Sequence, residues 1–338
     1  MRFFLKFFLI LTLSLFLTSA FLINANHLTY PFPSGPITDS ELRLVHLKFI
    51  EEEKPQVVLL GDSTLKLGVD SNLFEKQINK PIYNISIPGS ASALWYLILK
   101  NNIVESSYKP PYLLIVFRDT ILTAPAFRVH GNYFTQIAEF ARQNEPLLIE
   151  NSFTNYMSPL EIAAERYLPL YSMRAKIRED IDNHIHHLIP SLLGCDPICV
   201  QTSLDNLFTF AEINPILPGD EIRAAESYLY TSEQLDFDTQ LNRSYLPEMI
   251  RLAKENNISI VFVRIKVKTD TEHQLALGQY IEKLSSYFAD NEIYFLDFGD
   301  DTRLTSNLFQ DAIHLNESGR ELFTQLLAEE MNKIISEK

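Results

Sequence analysis

Three residues near opposite ends of the chain carry side chains that together could activate a hydroxyl group. Ser63 follows an apolar run, residues 57–60, and the pair Gly61-Asp62, while Asp311 lies three residues before His314. A serine hydroxyl is a weak nucleophile until a base takes its proton, and histidine suits that role near neutral pH. A carboxylate beside the imidazole fixes its tautomer. These residue types predict attack by Ser63, with His314 as base and Asp311 as the orienting group.

Five apolar segments have the length of strands and would bring these residues to one edge of a sheet. They cover residues 57–60, 82–85, 112–117, 258–265 and 293–298. Helical patterning lies between them, for example at residues 94–104, 245–256 and 274–288. Strands that alternate with helices predict a mostly parallel sheet with helices on both faces. Ser63 then follows the carboxyl end of a strand, where ligands bind in open α/β sheets.

These blocks, Gly61-Asp62-Ser63 after an apolar strand and Asp311-x-x-His314 near the end of the chain, resemble the first and last sequence blocks of the SGNH (GDSL) family of serine esterases and acyltransferases. The resemblance implies a flavodoxin-like three-layer α/β/α fold, with a mostly parallel five-stranded sheet and a mainly helical insertion. It also implies that Ser63 is the nucleophile, His314 the base and Asp311 its orienting carboxylate. This chemistry requires no metal and no organic cofactor.

The second family block is matched by residues 84–89, Asn-Ile-Ser-Ile-Pro-Gly, which end the second predicted strand. There the resemblance implies that the backbone N–H of Gly89 donates to the oxyanion, together with the amide at Ser63. The alternative is a glycine needed only for a turn. The placement directly after a strand favours the donor role.

The third family block is where the sequence departs from the pattern. The family carries Gly-x-Asn-Asp there, and its asparagine side chain donates to the oxyanion, whereas this chain has Val-Phe-Arg-Asp-Thr at residues 116–120. Arg118 is the residue best placed to substitute, because a guanidinium is a permanent donor that can hold an oxyanion or an anionic group on the substrate. The alternative for Arg118 is a salt bridge with Asp119 or another carboxylate. Loss of one oxyanion donor lowers the rate by about 10²-fold or more, so the level of ordinary esterase activity depends on this choice.

The amino terminus has the pattern of an export segment. Arg2 and Lys6 precede an uncharged run rich in Phe and Leu, residues 7–23. Its length lies between a signal-peptide core and a full membrane span of about 20 residues. We predict that residues 1–25 are a signal peptide or a membrane anchor and that residues 26–38 are a tether. The positive flank stays in the cytoplasm, so the rest of the chain is expected in the periplasm or at the cell surface, anchored by residues 7–23 or secreted after cleavage.

Residues 39–338 are predicted to form one domain with a mainly helical insertion at about residues 121–242. Helical patterning at residues 133–142, 159–167 and 171–188 supports this, and the insertion is expected to form a lid or substrate platform over the carboxyl ends of the strands. Cys195 and Cys199 are expected to form a local disulfide, with two free thiols as the alternative. Arg128, His130 and Tyr133 follow the third predicted strand closely enough to line a cleft, but they are expected on the surface of a loop.

The net charge of −14 argues against a nucleic-acid partner, because that binding depends on lysines and arginines that neutralise phosphates. The export segment, the tether and the altered third block are similar to those of a membrane-anchored branch of the family, which includes the alginate acetyltransferases and the teichoic-acid D-alanylation protein. That similarity implies an acyl ester substrate, a surface glycan as acceptor, and a membrane-embedded acyltransferase as partner.

The sequence therefore predicts an extracytoplasmic serine esterase or O-acyltransferase of the SGNH type, acting through an acyl intermediate on Ser63. Hydrolysis and transfer share the first half-reaction, so the residues do not separate them. The rival hypothesis is a non-catalytic binding or assembly protein of the cell envelope that has kept the fold. The missing asparagine favours the rival, while the presence of Ser63, Asp311 and His314 counts against it.

Overall fold

The structure is a computed structural model, and it describes residues 2–25, 30, 44–130, 132–142, 145–173, 177, 226–268 and 274–337. A parallel sheet of five strands lies at its centre, in the order β2-β1-β3-β4-β5. The strands are β1 Val57–Gly61, β2 Ile82–Ser86, β3 Tyr112–Phe117, β4 Ser259–Arg264 and β5 Tyr294–Asp297. Each lies within one residue, at either end, of a predicted apolar run. The predicted three-layer α/β/α fold is confirmed.

Helices cover both faces of the sheet, which explains why the central strands are apolar without interruption. Every residue of β1 and β3 is buried, whereas the edge strands β2 and β5 are partly exposed. Alternate residues of a strand point to opposite faces, so a strand covered on both sides must be apolar at every position. The order of the strands places β1 and β3 in the middle, and both carry residues of interest directly after their carboxyl ends.

One helical layer consists of Ser71–Ile78 and the carboxyl-terminal helix, Glu317–Ser336. Their buried residues, such as Phe74 and Phe323, join Leu59 and Val116 in one apolar cluster. The opposite layer includes the helices Ser92–Ile98, Leu246–Glu255 and Gln274–Asp290. In that layer the ring of Phe288 stacks on Phe262 of β4, with the ring centroids 4.7 Å apart.

The described residues contain further helices and short turns. They are Arg2–Ala25, Val45–Glu53, Ser63–Gly68, Asn132–Phe140, Pro146–Ser152, Pro159–Tyr167, Pro169–Ser172 and Phe237–Leu241, with single 3₁₀ turns at Ile121–Thr123, Thr154–Tyr156, Ser227–Tyr230 and Ser306–Leu308. The predicted helix at residues 94–104 corresponds to the helix Ser92–Ile98 and the π-helical turn that follows it, Leu99–Ile103. The helix Ser71–Ile78 was not predicted, although its capping residue Asp70 is a typical start signal.

The chain divides into two compact units. One contains residues 1–35 and 153–216, and the other contains residues 36–152 and 217–338, including the whole sheet. In the first unit the amino-terminal helix contacts Pro169–Ser172. Its segment Phe3–Ala25 is long and apolar enough to cross a membrane, a test that a signal sequence also passes.

A partly buried histidine, His46, joins the first helix of the larger unit, Val45–Glu53, to the sheet. Nδ1 of His46 is hydrogen-bonded to the hydroxyl of Tyr83 on β2 at 2.7 Å, and the imidazole stacks on Phe140 with centroids 5.5 Å apart. Burial lowers the pKa of His46 from 6.5 to about 4. The folded state therefore favours the neutral imidazole, whereas the unfolded chain takes up a proton below pH 6.5.

His46 should consequently make the fold sensitive to mild acid. Its contribution is fully present above pH 6.5 and is lost as the pH falls towards 4, an effect on the order of 1–3 kcal/mol. The His46→Phe variant keeps an aromatic ring against Phe140 but cannot titrate, so its free energy of unfolding should fall less over this range. Tyr83→Phe is the matched control, because it removes the hydrogen bond and leaves the partly buried imidazole. Equal slopes for wild type and His46→Phe in urea titrations would contradict the assignment.

Candidate active site

Ser63 is the first residue of a short helix that begins where β1 ends. Asp62, in extended conformation, caps this helix Ser63–Gly68: its Oδ1 accepts hydrogen bonds from the amide of Thr64 at 2.8 Å and from the Thr64 hydroxyl at 2.6 Å. A carboxylate at this position satisfies an amide that the helix itself leaves unpaired. The side chain of Ser63 is only half-buried, so its hydroxyl is accessible.

Gly61 allows the chain to turn sharply before the nucleophile. A Cβ at this position would lie 2.9 Å from the Cβ of Leu65 and 2.9 Å from the carbonyl oxygen of Val116 on β3. Any side chain would therefore push the helix away from the sheet. Glycine is required here for close packing, and the packing places Ser63 at the carboxyl edge.

His314 lies in a tight loop that ends at the carboxyl-terminal helix. The amide of Gln310 donates to the carbonyl of His314 at 3.0 Å, which closes the loop. Inside it, Oδ1 of Asp311 accepts from the amides of Ile313 and His314, both at 2.8 Å. Asn316 then caps the helix by accepting from an amide of its first turn at 3.0 Å. Local backbone hydrogen bonds thus fix both Asp311 and His314.

The structure brings the three predicted residues into one hydrogen-bonded row. Nε2 of His314 lies 2.8 Å from Oγ of Ser63, and Nδ1 of His314 lies 2.8 Å from Oδ2 of Asp311. The side chains of His314 and Asp311 are 12% and 4% exposed, so the carboxylate is shielded while the imidazole reaches the surface. Both distances permit proton transfer or strong hydrogen bonding without rearrangement. This arrangement can remove a proton from a hydroxyl and return it to a leaving group.

The loop after β2 is tied to the last residue of β1. The carbonyl of Gly61 accepts from the amide of Ile87 at 3.0 Å and from the hydroxyl of Ser90 at 3.1 Å. Nε1 of Trp95 in turn donates to the Ser90 hydroxyl at 2.8 Å. Because Gly61 precedes Ser63 by two residues, these bonds hold Gly89, which lies between Ile87 and Ser90, close to the start of the helix Ser63–Gly68.

Gly89 adopts a left-handed backbone conformation, with φ of 78°. A Cβ there would also lie 2.7 Å from the ring of Tyr133. Within the described part of the chain, no hydrogen bond from the amide of Ser63 or of Gly89 is formed. Both amides can therefore donate to a bound group, and the predicted oxyanion role of Ser63 and Gly89 stays a prediction that this geometry permits.

Arg118 forms a salt bridge, which is the alternative to the oxyanion donor in the sequence analysis. Its side chain is 1% exposed and forms an ion pair with Glu226, and its Nη2 lies 3.7 Å from Oδ2 of Asp62. Burial by itself lowers the pKa of Arg118, but the charges of Glu226 and Asp62 outweigh it and raise the pKa above its usual value. The carboxylate partner is not the adjacent Asp119. Because its guanidinium is enclosed, Arg118 acts on the surroundings of Ser63 only through the side chains of Asp62 and Glu226.

A second arginine joins the same carboxylates. Nη2 of Arg128 donates to Oε1 of Glu226 at 2.6 Å, and Nη1 lies 3.9 Å from Oδ2 of Asp62. The guanidinium lies over the rings of Phe127 and Tyr133, 5.0 and 5.6 Å from their centroids. The side chain of Arg128 is 14% exposed, so the predicted placement on a loop surface is wrong for this residue. The guanidinium of Arg128 points into the protein because the carboxylates of Glu226 and Asp62 attract it.

Glu226 reaches the site from a segment that packs on the loop after β3. The hydroxyl of Thr120 donates to the carbonyl of Leu229 at 2.6 Å, and the rings of Phe127 and Tyr228 stack with centroids 5.9 Å apart. This segment belongs to the end of the predicted insertion. Neither Arg128 nor Glu226 was a predicted site residue, since no local pattern marks an ion pair between residues 98 positions apart.

Paired charges continue along the carboxyl edge of the sheet. Arg264 at the end of β4 lies 3.7 Å from Asp119 and 3.2 Å from Asp297 at the end of β5. Asp119 also accepts a hydrogen bond from the hydroxyl of Tyr230. Burial, followed by the charge of Asp119, raises the pKa of Tyr230, so this phenol stays protonated and remains a donor.

No metal centre is recognised in the described residues: nowhere among them do three His, Cys, Asp or Glu side chains group as ligands would. Cys195 and Cys199, the predicted disulfide, lie outside the described residues, as do the predicted tether except for Tyr30 and most of the predicted helix at residues 171–188.

Because Gly89 and Tyr133 are in contact, substitutions at the two positions should have non-additive effects on stability. Gly89→Ala should destabilise the fold by about 1–3 kcal/mol, because it adds both a strained φ and a collision with the ring. The double variant Gly89→Ala/Tyr133→Ala removes the collision and leaves the strain, so it should lose less stability than the sum of the single changes. Thermal unfolding of the four proteins in the cycle measures this coupling. Strictly additive losses would show that the ring does not restrict Gly89.

Comparison with known proteins gives a partial family match and several structural neighbours. The family described as Protein of unknown function (DUF1574) matches residues 174–329, which is less than half of the chain. No curated protein matches the sequence.

Three solved structures are similar at low identity. A protein described as an acylhydrolase, from Bacteroides fragilis, is 12% identical, with 84% of this chain and 89% of that chain covered and a TM-score of 0.39. A protein described as a lipolytic protein of the G-D-S-L family, from Desulfitobacterium hafniense, is 12% identical, with coverages of 81% and 97% and a TM-score of 0.36. A GDSL-like lipase from Bacteroides thetaiotaomicron is 10% identical, with coverages of 84% and 90% and a TM-score of 0.37.

Proposed function

We propose that this chain is a serine ester hydrolase of the SGNH type whose acyl intermediate forms on Ser63. The observation that carries the proposal is the hydrogen-bonded row from Ser63 Oγ through His314 to Asp311, with both distances at 2.8 Å. A serine, an imidazole and a carboxylate in this order are the parts of an activated nucleophile. The half-buried serine, at the carboxyl edge of a parallel sheet, is where a substrate can reach it.

In the first half-reaction, Oγ of Ser63 attacks the acyl carbon of the ester while Nε2 of His314 takes its proton. Asp311 accepts a hydrogen bond from Nδ1–H and stabilises the imidazolium that forms. The amides of Ser63 and Gly89 donate to the oxygen that becomes negative. The bond from the acyl carbon to the leaving oxygen then breaks, and this oxygen receives the proton from Nε2 of His314.

In the second half-reaction, Nε2 of His314 takes the proton of a hydroxyl that attacks the acyl carbon, and the bond to Oγ of Ser63 breaks as that oxygen receives the proton from His314. With water the outcome is hydrolysis, and with an alcohol of a surface glycan it is O-acyl transfer. The apolar segment Phe3–Ala25 supports a site of action outside the cytoplasm and next to a membrane. There, a membrane-embedded acyltransferase could supply the acyl donor. Incubation with an activated acetyl ester and an oligosaccharide separates the two outcomes, because only transfer leaves acetyl groups on the sugar.

Covalent labelling tests the proposed nucleophile. Wild-type protein exposed to a fluorophosphonate should gain the mass of one phosphonyl group in intact-protein mass spectrometry, whereas Ser63→Ala should gain none. Ser71→Ala is the matched control. Ser71 also begins a helix that an aspartate caps, but its hydroxyl accepts a hydrogen bond from the side-chain amide of Asn84 and not from an imidazole. It should label like wild type. A folded wild type that does not react would overturn the enzyme proposal and favour the non-catalytic binding or assembly protein.

Asp311→Asn tests the orienting carboxylate. An asparagine can still accept the two loop amides with its oxygen, but its NH₂ then faces Nδ1 of His314 and forces the proton onto Nε2. The base is lost in this tautomer, so kcat for an activated acetyl ester should fall by about 10³- to 10⁴-fold. Circular dichroism checks that the variant is folded. Activity within tenfold of wild type would exclude Asp311 as the orienting group.

A further inference from the structure

The acyl chemistry proposed for Ser63 creates a negative oxygen next to two backbone amides, and a cationic side chain lies close to neighbours of both, Asp62 and Tyr133. Arg128 approaches Asp62, the residue before the nucleophile, with its Nη1 3.9 Å from Oδ2 of that carboxylate. On its other side, its guanidinium lies over the ring of Tyr133, which contacts Gly89. The guanidinium is therefore next to the residues that flank the proposed oxyanion position from both directions.

Arg128 has hydrogen-bonding capacity left over. Within the described part of the chain its only hydrogen bond runs from Nη2 to Glu226, at 2.6 Å. The distance from Nη1 to Asp62 exceeds that of a hydrogen bond, and the side chain is 14% exposed. A guanidinium carries five N–H donors, so most of those on Arg128 are available to a ligand. Arg118, at 1% exposure, cannot offer this.

Arg118 and Arg128 thus bind different oxygens of the Glu226 carboxylate. Oε2 of Glu226 pairs with Arg118 and Oε1 pairs with Arg128. Arg118 is enclosed behind Glu226, and Arg128 lies on the accessible side. The backbone of Arg128 is left-handed, with φ of 56°, a conformation that a non-glycine residue keeps only where its surroundings hold it. Glu226, Asp62 and the two aromatic rings are those surroundings.

We infer that Arg128 is the side-chain donor to the oxyanion in the reaction proposed for Ser63, and that Glu226 and Arg118 are positioning residues that aim it. The inference rests on the proposed function. The substrate ester is uncharged in its ground state, and negative charge develops only as the Ser63 Oγ to carbon bond forms. An N–H donor placed in advance lowers the energy of that state more than the energy of the bound ester. Arg128 should therefore act on kcat and leave KM almost unchanged.

The test compares Arg128→Ala with wild type in two measurements. Hydrolysis of an activated acetyl ester should show kcat about 10²-fold lower and KM within about threefold. The affinity for a boronic acid, which forms a tetrahedral anion on the serine oxygen, should fall by a similar factor. Arg251→Ala is the matched control, because Arg251 is also paired with two carboxylates, Glu248 and Glu255, but lies exposed on the helix Leu246–Glu255. It should change neither quantity.

Positioning is tested with Glu226→Gln and with Arg128→Lys. Glu226→Gln keeps an oxygen for Arg128 but loses the charge that aims it, so kcat and boronate affinity should fall together by a smaller factor than in Arg128→Ala. Arg128→Lys keeps the charge without the planar fork and should recover part of both quantities, and it replaces Arg128→Ala if the alanine variant does not fold. A merely structural role would not link kcat to boronate affinity across these variants.

The inference is overturned if a folded Arg128 variant that still reacts with a fluorophosphonate at Ser63 keeps kcat within threefold of wild type. It is also overturned if kcat falls while the boronate affinity stays the same. A wild-type protein without Ser63 labelling is a different result, since it removes the proposed function itself.

Discussion

Burial of charge at the carboxyl edge of the sheet is the constraint on which the site depends. Asp62, Arg118 and Glu226 are almost completely enclosed, and each of them faces an opposite charge. An ion in such surroundings without its partner is penalised by several kcal/mol, so none of the three can leave independently of the others. They come from the end of β1, the end of β3 and the segment before Ser227–Tyr230. Pairing their charges therefore fixes three distant parts of the chain relative to one another around the nucleophile.

Asp62 and Asp311 use their carboxylates in the same way at the candidate active site. Each aspartate uses one oxygen to accept backbone amides of its own turn and presents the other oxygen to a nitrogen that it orients. Asp311 holds its loop with Oδ1 and His314 with Oδ2. Asp62 caps the nucleophile helix with Oδ1 and faces the guanidinium of Arg118 with Oδ2. Because these hydrogen bonds fix each carboxylate, the orientation of its partner needs no further support, and the positions of His314 and Ser63 both follow from short turns.

The difference between local turns and ion pairs of distant residues explains which features could be predicted from the sequence. The strands were predicted closely because burial on both faces leaves long apolar runs. The row of Ser63, His314 and Asp311 was expected because two short motifs resemble those of a known family. The charged residues behind the site were not predicted, since the partner of Arg118 is Glu226, far along the chain, and no periodicity connects them. Arg128 was placed on a surface for the same reason: a lone arginine in a loop carries no sign of the carboxylates that draw it inward. Local patterns determine elements and turns, whereas ion pairing depends on the finished topology.

The balance of charge in this cluster also restricts the substrate. Asp62 and Glu226 neutralise Arg118 and Arg128, so the cluster offers directed N–H donors without a surplus of positive charge. The chain as a whole has a net charge of −14, which adds nothing that would attract an anion over distance. An anionic group near Arg128 would be repelled by the enclosed charges of Asp62 and Glu226 as well as attracted by the arginines, so it would gain little from binding there. A neutral ester meets no such opposition, and its charge appears only in the transition state, where fixed donors are most effective. For the reaction proposed at Ser63, this arrangement of charges is expected to favour neutral acyl groups over anionic ones.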